Sequence, residues 1–199
     1  MKSVEINGEL RAAIGKKDSK KLRAESKVPC VLYGGEEPIH FYAEAAEFRK
    51  IVYTPNVYLI KLTIAGTEYS AIMQDIQWHS VNEQILHVDF LKIDETKPIK
   101  IEVPVKVDGY AKGMRAGGKM KLNLRRLKVK ALAQDVPDFI KLNIDELELG
   151  QSIKVSQVDV DKMEILNSKS IPVVTIMITR AARAAMNADK AAAAPAKKK

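Results

Sequence analysis

Apolar and polar side chains alternate from Val4 to Arg11, with Val4, Ile6 and Leu10 on one face and Glu5, Asn7, Glu9 and Arg11 on the other. A period of two marks a half-buried β-strand. Gly15 interrupts it, and Asp18 or Ser19 is suited to cap a short helix running to about Ser26. The apolar run VPCVLY, residues 28–33, predicts a second strand ending at Gly34-Gly35. Residues 43–54, AEAAEFRKIVYT, place Phe48, Ile51 and Val52 on one helical face, and the helix stops before Pro55. Residues 57–78 predict two strands around a tight turn at Ala65-Gly66, and residues 85–93 predict another strand. Five strands and two helices in about 90 residues predict a small, closed or nearly closed β-barrel.

The texture changes after DETKP, residues 94–98. In IKIEVPVKV the residues Ile99, Ile101, Val103, Val105 and Val107 share one face, while Pro104 falls on the other and implies an edge position or a bulge. Residues 112–121, KGMRAGGKMK, read as a flexible basic loop. Strands follow in LNLRRLKVKALA, FIKLNI, SIKVSQV and IPVVTIMI. The expected fold is mainly β with a few short helices. A barrel domain spans 1–93, a linker 94–98, a second, mainly antiparallel β domain 99–179, and an Ala/Lys-rich tail 180–199, disordered beyond about Arg183.

The charge is unevenly placed. The chain of 199 residues has a formal net charge of +8. Residues 1–95 hold 12 basic and 14 acidic side chains, a net of −2, whereas residues 96–179 and 180–199 each carry +5. Within the first block, residues 11–27 alone hold seven basic and two acidic groups. Such a concentration is read either as a solvated helix face or as a positive potential that attracts nucleic acid. No apolar run approaches the roughly 20 residues that span a bilayer, and the first ten residues lack the apolar core of a signal peptide. With one cysteine, Cys30, no internal disulfide forms, which fits a reducing, cytoplasmic compartment.

Catalytic constellations are thin. Cys30 sits between Pro29 and Val31 and reads as a buried core thiol. His40, His79 and His87 have no cysteine or histidine at zinc spacing around them, so no metal site is expected. Gly117-Gly118-Lys119 is followed by Met120, without the hydroxyl residue of a phosphate-cradling loop. Neither an enzyme, a cofactor nor a small-molecule substrate is expected. One polar set stands out: in LHVDF the alternation puts His87 and Asp89 on the outer face, near Gln74, Asp75 and His79 of QDIQWH. It is either a surface ion pair that orients an imidazole or part of a hydrogen-bonding surface for RNA, whose 2′-hydroxyls take both donors and acceptors. Tyr33, at a strand end, is either a rim contact or a core tyrosine.

The order Arg11, Gly15-Lys16, Ser19-Lys20-Lys21-Leu22-Arg23, Val28-Pro29, Tyr33-Gly34, Gln74-Asp75-Ile76-Gln77 and His87-Val88-Asp89-Phe90 resembles the bacterial large-subunit ribosomal protein L-twenty-five family. The second half, with VPVKVDGYAKGMRAGG, DVPDFIKLNIDELELGQSIKV and IPVVTI, resembles the C-terminal domain of its long form, the general stress protein Ctc. The resemblance runs from about residue 3 to 178. It implies a structural constituent of the large ribosomal subunit whose N-terminal barrel binds 5S ribosomal RNA, among other subunit RNA and proteins. By position it implies RNA contacts at Arg11, Lys16, Ser19, Lys20, Lys21, Arg23, Tyr33, Gln74, Asp75, His87 and Asp89. Lysines stand at 20 and 21 where arginine is frequent, which keeps the charge and loses the planar fork. The alternative is a stress-associated, ribosome-bound adaptor whose C-terminal domain binds another protein.

Overall fold

The computed structural model describes residues 2–35, 37–94, 96–160 and 162–184. The expected disorder of the tail falls largely on residues 185–199, outside the described residues. Residues 180–184 form a helical turn, with the Ala182 N–H on the Thr179 hydroxyl and the Ala182 side chain buried. The chain divides into two compact units, residues up to 103 with 130–138 and residues 104–129 with 139 onward.

The first unit is a closed six-stranded barrel. Its strands are β1 (Lys2–Leu10), β2 (Lys27–Tyr33), β3 (Ile39–Glu44), β4 (Tyr58–Ile64), β5 (Thr67–Trp78) and β6 (Ile85–Lys92), and its helices are α1 (Lys16–Ala24) and α2 (Ala45–Val52). Around the barrel the order is β1-β3-β2-β6-β5-β4, with β1/β4 and β2/β6 parallel and the other neighbours antiparallel. Closure leaves no free sheet edge. Inward positions alternate along each strand and fill the interior: Ile6, Val28, Cys30, Leu32, Phe41, Ile60, Leu62, Val88 and Phe90 are buried. Helix α2 adds Phe48 and Ile51 to this core, with Phe48 and Phe41 ring centroids 6.3 and 5.7 Å from that of Phe90.

Three local expectations change. The strand Ile39–Glu44 is a sixth one; its two buried residues, Phe41 and Ala43, run straight into the Ala/Glu-rich helix, which starts at Ala45 and masks it. Helix α1 begins at Lys16 behind Gly15 with no side-chain cap, so Asp18 and Ser19 lie inside the helix. Leu10 is 53% exposed, because β1 pairs with β4 only from Lys2 to Gly8 and Leu10 lies past that end of the ladder. The Ala65-Gly66 turn is as expected: φ is 49° and 82°, and Ile64 pairs with Thr67, a two-residue hairpin of the I′ kind. The segment 96–98 lies in the first unit, with Lys97 Nζ 2.8 Å from Asp94. Beyond it Ile99 joins Ile72 and Ile93 in a small second cluster outside the barrel wall.

The second unit is also β-rich. Strand β7 (Ile99–Asp108) enters it at Pro104 and is followed by α3 (Lys112–Arg115), β8 (Lys119–Leu122), β9 (Arg126–Ala131), which belongs to it up to Val129, β10 (Ile140–Asn143), β11 (Ser152–Lys154), β12 (Glu164–Ile165) and β13 (Pro172–Met177). Two sheets have the orders β10-β7-β9-β12 and β11-β13-β8. Strand β7 is thus interior, and buried Pro104 sits just before the β10 pairing, which starts at Val105. Its missing N–H therefore breaks no β10 bond. The β7/β10 pairing is parallel, whereas β11, β13 and β8 pair antiparallel as expected. The segment 112–121 is ordered as α3 and the start of β8. A Cβ on Gly113 would lie 2.7 Å from the Glu148 carbonyl carbon, so this glycine permits a tight backbone contact.

Two substitutions test the barrel with opposite signs. Ala65→Asn relieves a left-handed alanine and is expected to raise stability by about 0.5–1 kcal/mol in urea unfolding. Gly8→Ala places a Cβ 2.6 Å from the Phe41 ring and is expected to lower it by about 1–3 kcal/mol.

Candidate nucleic-acid interface

Two bulges decide which side chains β5 and β6 present outward. Met73 pairs with Phe90 but Asp75 pairs with Asp89, so two residues of β5 stand against one of β6. Met73 and Ile76, three apart, both pack on the core, and Gln74 and Asp75 are both exposed between them. At the other end Gln77 pairs with His87 and Trp78 with Ile85, leaving Leu86 as the extra residue on β6. The outer face thus aligns Asp75 opposite Asp89 and Gln77 opposite His87.

Within β6, His87 and Asp89 share this face and meet, Nδ1 to Oδ1, at 2.6 Å. The contact assigns the proton of a neutral ring to Nδ1 and leaves Nε2 as an acceptor. Asp75 accepts a hydrogen bond from the Ile76 N–H at 2.9 Å. Like charges directly across a ladder repel, so the His87 contact offsets the approach of Asp89 to Asp75. Tyr33 points outward at the end of β2, and burial, then Asp89 and Asp75, raise its phenol pKa above the ordinary range. It remains a hydroxyl donor beside two carboxylates. Gly34, with φ 97°, turns the chain there, where a Cβ would lie 2.8 Å from Leu91.

Arg11 lies at the other flank. Its backbone N–H donates to the His40 carbonyl, and its side chain, 6% exposed, reaches Asp18 Oδ2 at 2.8 Å and Ser19 Oγ at 3.1 Å. Ser19 in turn donates to the Gly15 carbonyl at 2.9 Å. Arg23 donates two hydrogen bonds, at 3.0 and 2.9 Å, to the carbonyl of the bulged Leu86. Leu22 is the one buried side chain of α1. The side chains of Lys16, Lys20 and Lys21 are exposed and make no hydrogen bond or ion pair among the described residues. The fold therefore groups Tyr33, Asp75, His87 and Asp89 on one wall, groups Arg11 with Ser19, and leaves the three lysines free on the helix.

Sequence reasoning missed Gln77, exposed and in register with His87, and the role of Asp18 as the partner of Arg11. The three-residue spacing of Met73 and Ile76 was the available signal for the bulge. Cys30 is fully buried, and burial pushes its thiol pKa up, far from that of a nucleophile. Among the described residues no group of three or more His, Cys, Asp or Glu is placed to hold a metal ion, and no helix is long and apolar enough to cross a membrane.

Residues 6–90 match the model of the ribosomal L25p family, and residues 98–180 match that of the ribosomal protein TL5 C-terminal domain. The chain is 44% identical over 190 residues to the large ribosomal subunit protein bL25 of Bacteroides fragilis, covering 93% of this chain and 97% of that protein. It is 45% identical over 192 residues to the bL25 of Phocaeicola vulgatus, with the same coverage, and 46% identical over 180 residues to that of Cytophaga hutchinsonii, covering 90% and 94%. The chain belongs to the ribosomal L25p family. Within it, the second match marks the long form with a TL5-type C-terminal domain. It is a family of ribosomal proteins, not of enzymes.

In this L25p-family chain the Arg11–Asp18 contact is expected to be structural. Asp18→Ala, although it removes an acid from a basic helix, should lower stability by about 1.5–3 kcal/mol in urea unfolding, because a nearly buried guanidinium loses its charged partner. Arg11→Lys should lower it as well, since one ammonium cannot reproduce the fork.

Proposed function

We propose that this chain is a structural constituent of the large ribosomal subunit on cytoplasmic ribosomes, and that its barrel docks on 5S ribosomal RNA. The relatives named above are large-subunit proteins. The observation that carries the reading is the His87–Asp89 pair set in register with Asp75 and Gln77, beside a helix on which Lys16, Lys20 and Lys21 stand free. Phosphates bind Lys16, Lys20 and Lys21. The 2′-hydroxyls and base edges of a shallow minor groove donate to Asp75, Asp89 and His87 Nε2 and accept from Gln74, Gln77 and the Tyr33 phenol. Arg11, Ser19 and Arg23 set the angle of the helix. Other subunit RNA and proteins are partners of the remaining surface.

Specific recognition belongs to residues 1–95 on this reading, despite their net charge of −2. Attraction follows net charge, whereas specificity needs donors and acceptors held on a rigid surface. Full-length variants test the division by titration against 5S RNA and an unrelated duplex at two salt concentrations. Replacing Lys20 and Lys21 with alanine should weaken both RNAs and lower the log–log salt slope by about 1.4–1.8, the release expected for two phosphate contacts. His87→Ala and Asp89→Ala should weaken 5S RNA more than the duplex. Equal losses on both RNAs would reduce the pair to a surface contact and remove the basis of the assignment.

A further inference from the structure

At the barrel end closed by α2 lies a cavity of about 180 Å³ that the RNA-facing wall does not use. Its walls are the last turn of α2 with Arg49 and Tyr53, the α1–β2 turn with Ser26 and Lys27, and the segment Glu83–Ile85 before β6. Tyr53 is 68% exposed and leans towards Trp78, 40% exposed, with ring centroids 6.4 Å apart at 57°. Neither ring makes a hydrogen bond among the described residues. The register irregularity at Gln77/Trp78 sets Trp78 at the end of the β5/β6 ladder. Two large aromatic faces in water beside a small cavity are a costly surface unless something stacks on them.

The charges around the cavity say what. Arg23, Lys27 and Arg49 face one acid, Glu83. Arg23 is held on the Leu86 carbonyl, and Lys27 lies 5.0 Å over the Tyr42 ring and 3.6 Å from Glu25. Arg49 makes no such contact among the described residues, and its guanidinium is the available cation. The cavity is smaller than the roughly 300–1,000 Å³ of drug-sized sites, which suits one planar ring system. We propose that this cavity and the Tyr53–Trp78 pair bind an unstacked nucleotide of single-stranded RNA, with the base on the aromatic rings and its phosphate on Arg49. Base–aromatic stacking next to a free cation is the general means of holding single strands. The site adjoins the His87–Asp89 wall where Trp78 follows Gln77 but uses none of that wall's side chains, and its natural occupant rests on the reading of this chain as a ribosomal RNA binder.

Trp78 is the one tryptophan of the chain, so indole fluorescence reports this site alone. The full chain is titrated with a single-stranded six-nucleotide oligoadenylate, with an RNA duplex and with an apolar peptide, and 5S RNA affinity is measured in parallel. Saturable quenching by the single strand, and not by the duplex or the peptide, is expected. Tyr53→Ala should weaken it about 5- to 150-fold, the range found for loss of one base–aromatic stack. Arg49→Ala should weaken it and flatten its salt dependence. Both side chains are exposed, and both variants should keep the wild-type 5S affinity, which also verifies that they fold. No saturable quenching, equal quenching by duplex, or quenching by the peptide instead would overturn the site, as would a parallel loss of 5S affinity in Tyr53→Ala. Quenching that persists in a chain without 5S affinity would sink the 5S reading and leave this one standing.

Discussion

The guanidinium of Arg11 holds together the end of β1 and the first turn of α1. A helix of nine residues with one buried side chain, Leu22, has little stability of its own. Three attachments fix it to the barrel: Arg11 on Asp18 and Ser19, Arg23 on Leu86, and Leu22 beneath. Asp18 also lies in the first helical turn, where a negative charge complements the exposed N–H groups. Without the Arg11 contact the helix has one polar tether, and the lysines at 16, 20 and 21 lose a fixed direction. Five donors in a planar fork explain why an arginine, not a lysine, sits at each tether.

The packed interior imposes the same discipline on the wall beside the helix. Val88 and Phe90 are fully buried among Phe41, Phe48 and Cys30, which sets the phase of β6 and turns His87 and Asp89 outward. A slip of one residue would bury the pair and expose both apolar groups, a large penalty at two positions. On β5 the bulge reconciles Met73 and Ile76, both inward, with two consecutive polar residues outward. On β6 the bulged Leu86 carbonyl becomes the acceptor for Arg23. Core, bulge and helix tether therefore meet at neighbouring residues of one strand, and a change in any of them reaches the polar wall.

Alternation along the chain makes the barrel legible in the sequence. Period-two stretches at 4–11, 57–78 and 85–93 and the helical spacing of Phe48 and Ile51 correspond to β1, β4–β5, β6 and α2. The outer-face placement of His87 and Asp89 followed from the same rule. Strand β3 escaped because its inward pair, Phe41 and Ala43, is short and abuts a helix-forming run. The start of α1 was misplaced because Asp18 and Ser19 have the chemistry of a cap, and only the position of Arg11 reveals their other use. Pro104 misled for a different reason. A proline excludes a ladder bond at its own nitrogen, yet β7 needs none there, since β10 begins to pair one residue later. Tertiary partners of this kind leave no local trace.

A last feature of the polar wall bears on selectivity. Asp75 and Asp89 stand opposite each other on the surface proposed to meet a polyanion. Each carboxylate repels a phosphate placed against it, so the wall penalises random docking of any nucleic acid drawn in by the lysines. The penalty becomes an attraction only when hydroxyl or amino donors are aligned with the carboxylates, as they are along a minor groove that carries 2′-hydroxyls. His87 limits the cost in the free protein by sharing Asp89. The acids that make residues 1–95 net negative are thus consistent with RNA recognition. On the proposed reading, cations on α1 supply attraction without selectivity, and the carboxylates supply selectivity by rejecting what does not fit.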